Sequence, residues 1–283
     1  MRATRRQFLI AGGAVALAAC SSSKTSTNSG SSAAPSGFSL VQRFPNSPLF
    51  VPGDVRLPIS LAAAGGLLQK GPATLTGAVL DANDKVVSEV SADIRATDIV
   101  IPYWAFRVAI AAPGVYTLRV KDDDGSGAAF QVFDPADVTV PVIGGTLQPF
   151  DTPTVADHRG VEPYCSLTPE PCPLHDITLT EALAGGKPVA YMIGTPAHCQ
   201  TGTCAPALEF LVVAHERLGH AVDMVHADVY ADDAATTLAP AVDALQLDYE
   251  PVVYMCAPGG TIVDRLDGIW EQSELDESLA RIS

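Results

Sequence analysis

Cys199 and Cys204 lie in the stretch Gly194-Thr195-Pro196-Ala197-His198-Cys199-Gln200-Thr201-Gly202-Thr203-Cys204-Ala205-Pro206. A short apolar strand pattern, Val189 to Ile193, precedes this stretch, and an apolar helical pattern, Ala207 to Leu218, follows it. The two cysteines therefore occupy a strand-to-helix turn. Backbone N–H groups at a helix start favour a thiolate and can draw a cysteine pKa from about 8.5 to roughly 3.5–7.5. Neighbouring thiols in such a place suit disulfide exchange through a mixed disulfide. The residue before the first cysteine is His198, whose cationic form would stabilise a Cys199 thiolate. Glu250 precedes Pro251, and its charge near the thiols would disfavour a thiolate.

Three other cysteines lie outside the first twenty residues. Cys165 and Cys172 flank the proline-stiffened loop Ser166-Leu167-Thr168-Pro169-Glu170-Pro171, which suits a local structural disulfide. A relay of electrons from this pair to Cys199 or Cys204 is the sharper alternative. A zinc site on Cys165, Cys172 and His175 lacks an evident fourth ligand, and the histidines form no ligand cluster by spacing, so no metal is assigned. Cys256 sits in the apolar run Val252 to Met255, where a buried, inert thiol is expected.

These cysteines must be positioned by folded elements. The 283 residues are 47% hydrophobic and 17% charged, which suits a globular chain with room for two domains. The net charge of −15 excludes the basic footprint a nucleic-acid binder needs. No cofactor is implied beyond a redox-active disulfide.

The first residues carry a resemblance. Thr4-Arg5-Arg6-Gln7-Phe8-Leu9-Ile10 resembles a twin-arginine export motif, and Leu17-Ala18-Ala19-Cys20 resembles the lipobox of bacterial lipoproteins, which implies lipidation at Cys20. Residues 1–20 would then be a signal peptide and residues 21–37 a flexible Ser/Thr/Gly tether. The resemblance implies a lipid anchor on the extracytoplasmic face of the cell membrane, where disulfides persist and protein thiols and disulfides are the available partners.

Residues 38–149 show alternating strand patterns, such as Trp104, Phe106, Val108 and Ile110, with turns every 8–12 residues or so. Pro113-Gly114-Val115-Tyr116-Thr117-Leu118 resembles a late strand of bacterial immunoglobulin-like domains. The expectation is an all-β immunoglobulin-like sandwich acting as a spacer or docking module, with Tyr103 and Trp104 in its core.

Residues 150–283 read as α-β-α-β-α-β-β-α. Helices are predicted over 178–184, 206–219, 234–245 and 273–282, and strands over 188–194, 223–230, 252–257 and 261–266. Three stretches are similar to the thioredoxin-like superfamily over about residues 160–283: Lys187-Pro188-Val189 leading into the cysteine loop, Tyr249-Glu250-Pro251-Val252-Val253-Tyr254-Met255, and Gly259 to Gly268. The resemblance implies an α/β thioredoxin-like fold, Cys199 as nucleophile, Cys204 as resolving thiol, and Pro251 as a cis-proline beside the site. Four residues, not the family's usual two, separate the cysteines, so Gln200 to Thr203 must form a turn; Gly202 suits it. The function implied is thiol–disulfide oxidoreduction. The alternatives are a copper-binding assembly lipoprotein of the same fold, with Cu(I) on the two thiolates, and a non-enzymatic surface lipoprotein whose Cys199–Cys204 bridge is structural.

Overall fold

The structure, a computed structural model, describes residues 37–283. The twin-arginine stretch, the lipobox with Cys20 and the tether up to residue 36 lie outside the described residues. Among the described residues, no helix is long and apolar enough to cross a membrane.

Eight strands come first: β1 (Ser39–Gln42), β2 (Gly53–Ala63), β3 (Gly66–Leu67), β4 (Thr74–Asp81), β5 (Val86–Arg95), β6 (Tyr103–Ile110), β7 (Gly114–Val120) and β8 (Ala128–Val132). They form one hydrogen-bonded path, β1-β2-β6-β5-β4-β7-β8, with β3 on β2. The strand β5 pairs along most of its length with β4, then turns its last residues, Ile94 and Arg95, onto Trp104 and Tyr103 of β6. The path then nearly closes. The Gln42 side chain donates to the Ala129 carbonyl, and the Asp124 amide donates to the Phe38 carbonyl. Inward residues alternate, as in Tyr116, Leu118 and Val120, because successive strand side chains point to opposite faces. Tyr103 and Trp104 are both fully buried.

The second sheet is small and carries the cysteine loop. Its elements are α1 (Leu179–Ala184), β9 (Val189–Ile193), α2 (Cys204–Leu218), β10 (Asp223–Ala227), α3 (Pro240–Leu245), β11 (Val252–Cys256), β12 (Ile262–Asp267) and α4 (Gln272–Leu279). The strand order is β10-β9-β11-β12, with β9 and β10 parallel and the other pairs antiparallel. Both faces are covered, which is why β9 and β11 read as unbroken apolar runs. Tyr191 and Ile193 face the core shared with the eight-stranded sheet, α1 and α3. Ala190 and Met192 face α2, α4 and the loop bearing Cys165 and Cys172.

Local signals account for the helix ends. Thr178 and Glu181 make the reciprocal capping box that opens α1. Two expectations are corrected. The predicted helix over 234–245 begins only at Pro240, because proline, lacking an N–H, fits the first turn and not the interior. The last helix, expected over 273–282, runs Gln272–Leu279 and is capped by the Glu271 side chain accepting from the Glu274 amide.

A buried polar seam ties the two sheets together. The Arg56 guanidinium on β2 makes two hydrogen bonds of 2.7 Å to the Glu274 carboxylate on α4, and donates to the Asp267 and Ile269 carbonyls. The Tyr103 hydroxyl donates to Glu274 and accepts from the Glu271 amide. Arg107 grips Asp264 through both terminal nitrogens, and Arg265 reaches the Pro141 and Leu49 carbonyls. Burial alone would lower the Arg56 pKa, but the Glu274 charge and hydrogen bonds raise it above its ordinary value. Burial likewise opposes ionisation of Glu274, and Arg56 outweighs it, so the carboxyl pKa is depressed.

Removing one partner strands the other charge in the interior. Glu274→Ala is therefore expected to cost about 3–5 kcal/mol in chemical denaturation. A depressed folded pKa stabilises the protein above the unfolded value of about 4.3 and loses that contribution as the pH falls through the folded value. Wild-type stability should accordingly drop below about pH 4, with a shallower drop in Glu274→Gln.

Candidate functional site

The chain leaves β9 at Gly194 and enters α2 at Cys204, and the intervening loop holds Cys199. Cys199 and Cys204 form a disulfide with Cα atoms 5.9 Å apart. The loop closes by a turn in which the Gly202 amide donates to the Cys199 carbonyl at 3.1 Å, with Gly202 at φ +67°. A side chain there would be strained, so glycine permits the four-residue spacing.

The two sulfurs have unequal surroundings. Cys204 is fully buried at the first position of α2, whereas Cys199 is partly exposed. The Cys204 amide, one of the helix's free N–H groups, points at Cys199 Sγ at 3.3 Å. The Thr201 hydroxyl lies 3.2 Å from the same sulfur. Once the bridge is reduced, both groups can donate to a Cys199 thiolate.

Glu250 and Pro251 stand opposite. The Glu250 carboxylate lies within 4.8 Å of both sulfurs and accepts a hydrogen bond from the Thr195 amide at 2.5 Å. Burial pushes its pKa up, and the Thr195 amide offsets only part of this. The Glu250–Pro251 peptide bond is cis. A Cβ added at Gly194 would sit 3.2 Å from Pro251 Cβ and 3.5 Å from Cys204 Cβ, so strand end, proline and buried cysteine meet at one point. The His198 ring packs edge-on against Tyr230 with centroids 6.0 Å apart. The hydrogen-bond partners of Cys199 Sγ are Thr201 and Cys204, not His198. The third metal-binding group in reach of the two sulfurs is thus a hard carboxylate.

A groove of about 460 Å³ opens from Cys199 and Glu250 along Val229, Leu238, Val242 and Leu247. On the other side of the turn a crevice of about 170 Å³ separates Thr201–Thr203 from residues 98–101, between β5 and β6. Val100, 78% exposed, stands at the tip of that loop.

Cys165 and Cys172 are free thiols, which corrects the local bridge read from their spacing. Their sulfurs turn to ring nitrogens instead: His226 Nδ1 is 3.8 Å from Cys165 Sγ and 3.6 Å from Cys172 Sγ. His175 joins them, its Nε2 3.2 Å from the same His226 nitrogen. The reading that the histidines form no cluster is corrected too, since sequence spacing conceals a partner supplied by β10. A histidine inside the apolar strand Asp223–Ala227 was the available signal, because a buried polar ring demands partners. The Cys165 thiol is the more acidic of the pair, since it accepts hydrogen bonds from Cys172 and faces His175 and His226. Cys256 is buried in β11, and burial pushes its thiol up to about 12.

Site and fold together define an α/β layer with a loop disulfide at a helix start. No family model matches the chain, and no curated protein matches it. Among solved structures, one described as "Structure of MTB dsbF in its mixed oxidized and reduced forms" is similar over 48% of this chain and 96% of that chain, with 18% identity and a TM-score of 0.30.

The unequal exposure gives an expected outcome. After reduction, an alkylating agent near neutral pH should label Cys199 at least about tenfold faster than Cys204 or Cys256, as mapped by mass spectrometry. Equal rates at Cys199 and Cys204 would contradict the arrangement.

Proposed function

We propose that this chain is a membrane-anchored extracytoplasmic thiol–disulfide oxidoreductase working through Cys199 and Cys204. The observation that carries the reading is the pairing of a partly exposed sulfur, aimed at by the Cys204 amide at the helix start, with a buried one. On this reading residues 150–283 are a thioredoxin-like unit and residues 38–149 an immunoglobulin-like support. Cys20 bears the lipid, and the partners are protein thiols and disulfides outside the cytoplasmic membrane.

In the reducing direction the Cys199 thiolate attacks a substrate disulfide. A Cys199–substrate disulfide forms, the substrate S–S bond breaks, and one substrate sulfur leaves as thiolate. Cys204 then gives its proton to the Glu250 carboxylate, which lies within 4.8 Å of its sulfur. The Cys204 thiolate attacks Cys199 Sγ, the intramolecular disulfide forms, and the second substrate thiolate departs. Two electrons pass from the dithiol to the substrate. The same steps reversed oxidise a substrate dithiol.

Glu250 suits proton transfer because burial raises its pKa toward the working pH. The apolar groove beside Cys199 would hold an extended, apolar stretch of the substrate, with Val100 on the opposite flank.

The deciding experiment equilibrates the protein in graded thiol/disulfide buffers and maps trapped thiols. Interconversion of Cys199 and Cys204 at about −120 to −270 mV is expected; a bridge that persists below about −300 mV would make the pair a staple and overturn the reading. Cys204→Ser is expected to accumulate a mixed disulfide on Cys199. Glu250→Gln should slow release of that mixed disulfide by about 10²-fold or more and flatten its pH–rate profile, with the first attack little changed.

A further inference from the structure

Cys165, Cys172, His175 and His226 converge beneath the cysteine loop, and the ligand atoms of all four lie within 4.8 Å of one another. The two cysteines are each 3% exposed and the two histidines 0%. Three come from the loop before α1 and the fourth from β10. Around this cluster the hydrogen bonds point outward. The His175 Nδ1–H donates to the Pro153 carbonyl at 3.2 Å, and the His226 Nε2–H donates to the Gly194 carbonyl at 2.8 Å. A carbonyl can only accept, so each neutral ring carries its proton on the outer nitrogen. In the neutral rings the inner nitrogens, His175 Nε2 and His226 Nδ1, are then lone-pair acceptors, and they face each other at 3.2 Å with two sulfurs alongside. Four electron-pair donors thus converge on one buried point.

We propose that these four side chains hold a structural zinc ion. The separations fit. A tetrahedral ion with Zn–N of about 2.0–2.1 Å and Zn–S of about 2.3 Å requires N···N of about 3.3 Å and S···N of about 3.6 Å. The observed N···N separation is 3.2 Å, and the S···N separations from His226 are 3.6 and 3.8 Å. Two thiolates and two imidazoles in a closed tetrahedron are a zinc donor set. Ring N–H groups held by backbone carbonyls fix the tautomer that a histidine ligand needs. Asp228, 2% exposed, lies 3.5 Å from His226 Nε2 and orients the loop by accepting from the Ser166 amide. Binding replaces two thiol protons with the metal and leaves the oxidation state of both sulfurs unchanged. It also explains how two free cysteines in one loop remain unbridged. The ion would brace the redox loop from below, since His226 holds the Gly194 carbonyl and the Ser166 hydroxyl accepts from the Ala197 amide at 3.3 Å.

The inference stands apart from the exchange reading, and its test keeps them apart. The full chain would be purified with zinc chloride present, gel-filtered, and its metal content measured; the expected result is one zinc per chain. Cobalt(II) put in place of zinc should give the visible bands of a tetrahedral site together with thiolate-to-metal charge transfer. The Cys165→Ser/Cys172→Ser variant should lose both signals, whereas Cys199→Ser/Cys204→Ser should keep them. His226→Gln offers a second variant that preserves the thiols, and it should lose tight zinc while both cysteines become open to alkylation. A wild-type chain that takes up neither metal would overturn the assignment. So would a mapped Cys165–Cys172 disulfide in the purified chain, or zinc retained by Cys165→Ser/Cys172→Ser. The wild-type measurements decide the matter even if the variants fail to fold.

Discussion

Much of the structure depends on one buried ion pair, Arg56 with Glu274. The arginine belongs to the long strand β2 and the glutamate to the last helix, 218 residues further along the chain. Neither charge could remain in the interior alone, because desolvating an isolated ion costs several kcal/mol. Their bidentate contact, closed by the Tyr103 hydroxyl and two backbone carbonyls, satisfies the fork of the guanidinium and both carboxylate oxygens. Hydrophobic packing alone would let two sheets slide. A pair with this directional geometry specifies one docking, and Arg107 with Asp264 repeats the device nearby.

That docking has a consequence for the site. With α4 held against β2 and β6, the loop between β5 and β6 comes to lie beside the Thr201–Thr203 turn. The cysteine loop is then flanked on one side by an exposed valine and on the other by the apolar groove that starts at Cys199. From below it is supported by the backbone contacts of Gly194 and Ala197 with His226 and Ser166. This frame leaves the Cys199 sulfur partly exposed and the Cys204 sulfur shielded.

Local features of this protein were legible because their physics is local. The capping box at Thr178 and Glu181, the strand into Gly194 and the helix after Pro206 all follow from residues within a turn or two of each other. The element order of the second half read correctly for the same reason. Misreadings arose where a signal had two outcomes. Pro240 can kink a helix or start one, and the shared core chose the start by burying Ala241, Val242 and Leu245. The loop around Cys165 and Cys172 can close by a disulfide or turn its sulfurs elsewhere, and here His226 on β10 took them.

By itself, the sequence determined which residues could do chemistry: two thiols at a helix start, a glycine that lets their loop turn, a carboxylate before Pro251, and three potential ligands in one proline-rich loop. These are properties of residue type and short spacing, and folding cannot alter them. Tertiary structure alone decided that Cys204 is the buried sulfur, that Glu250 stands within reach of both, and that His226 completes a four-ligand cluster. It also decided that Arg56 meets Glu274. Each of these depends on segments distant in the chain being brought together by the burial of apolar strands, whose pattern specifies that a face is covered but not which residues will lie across from it.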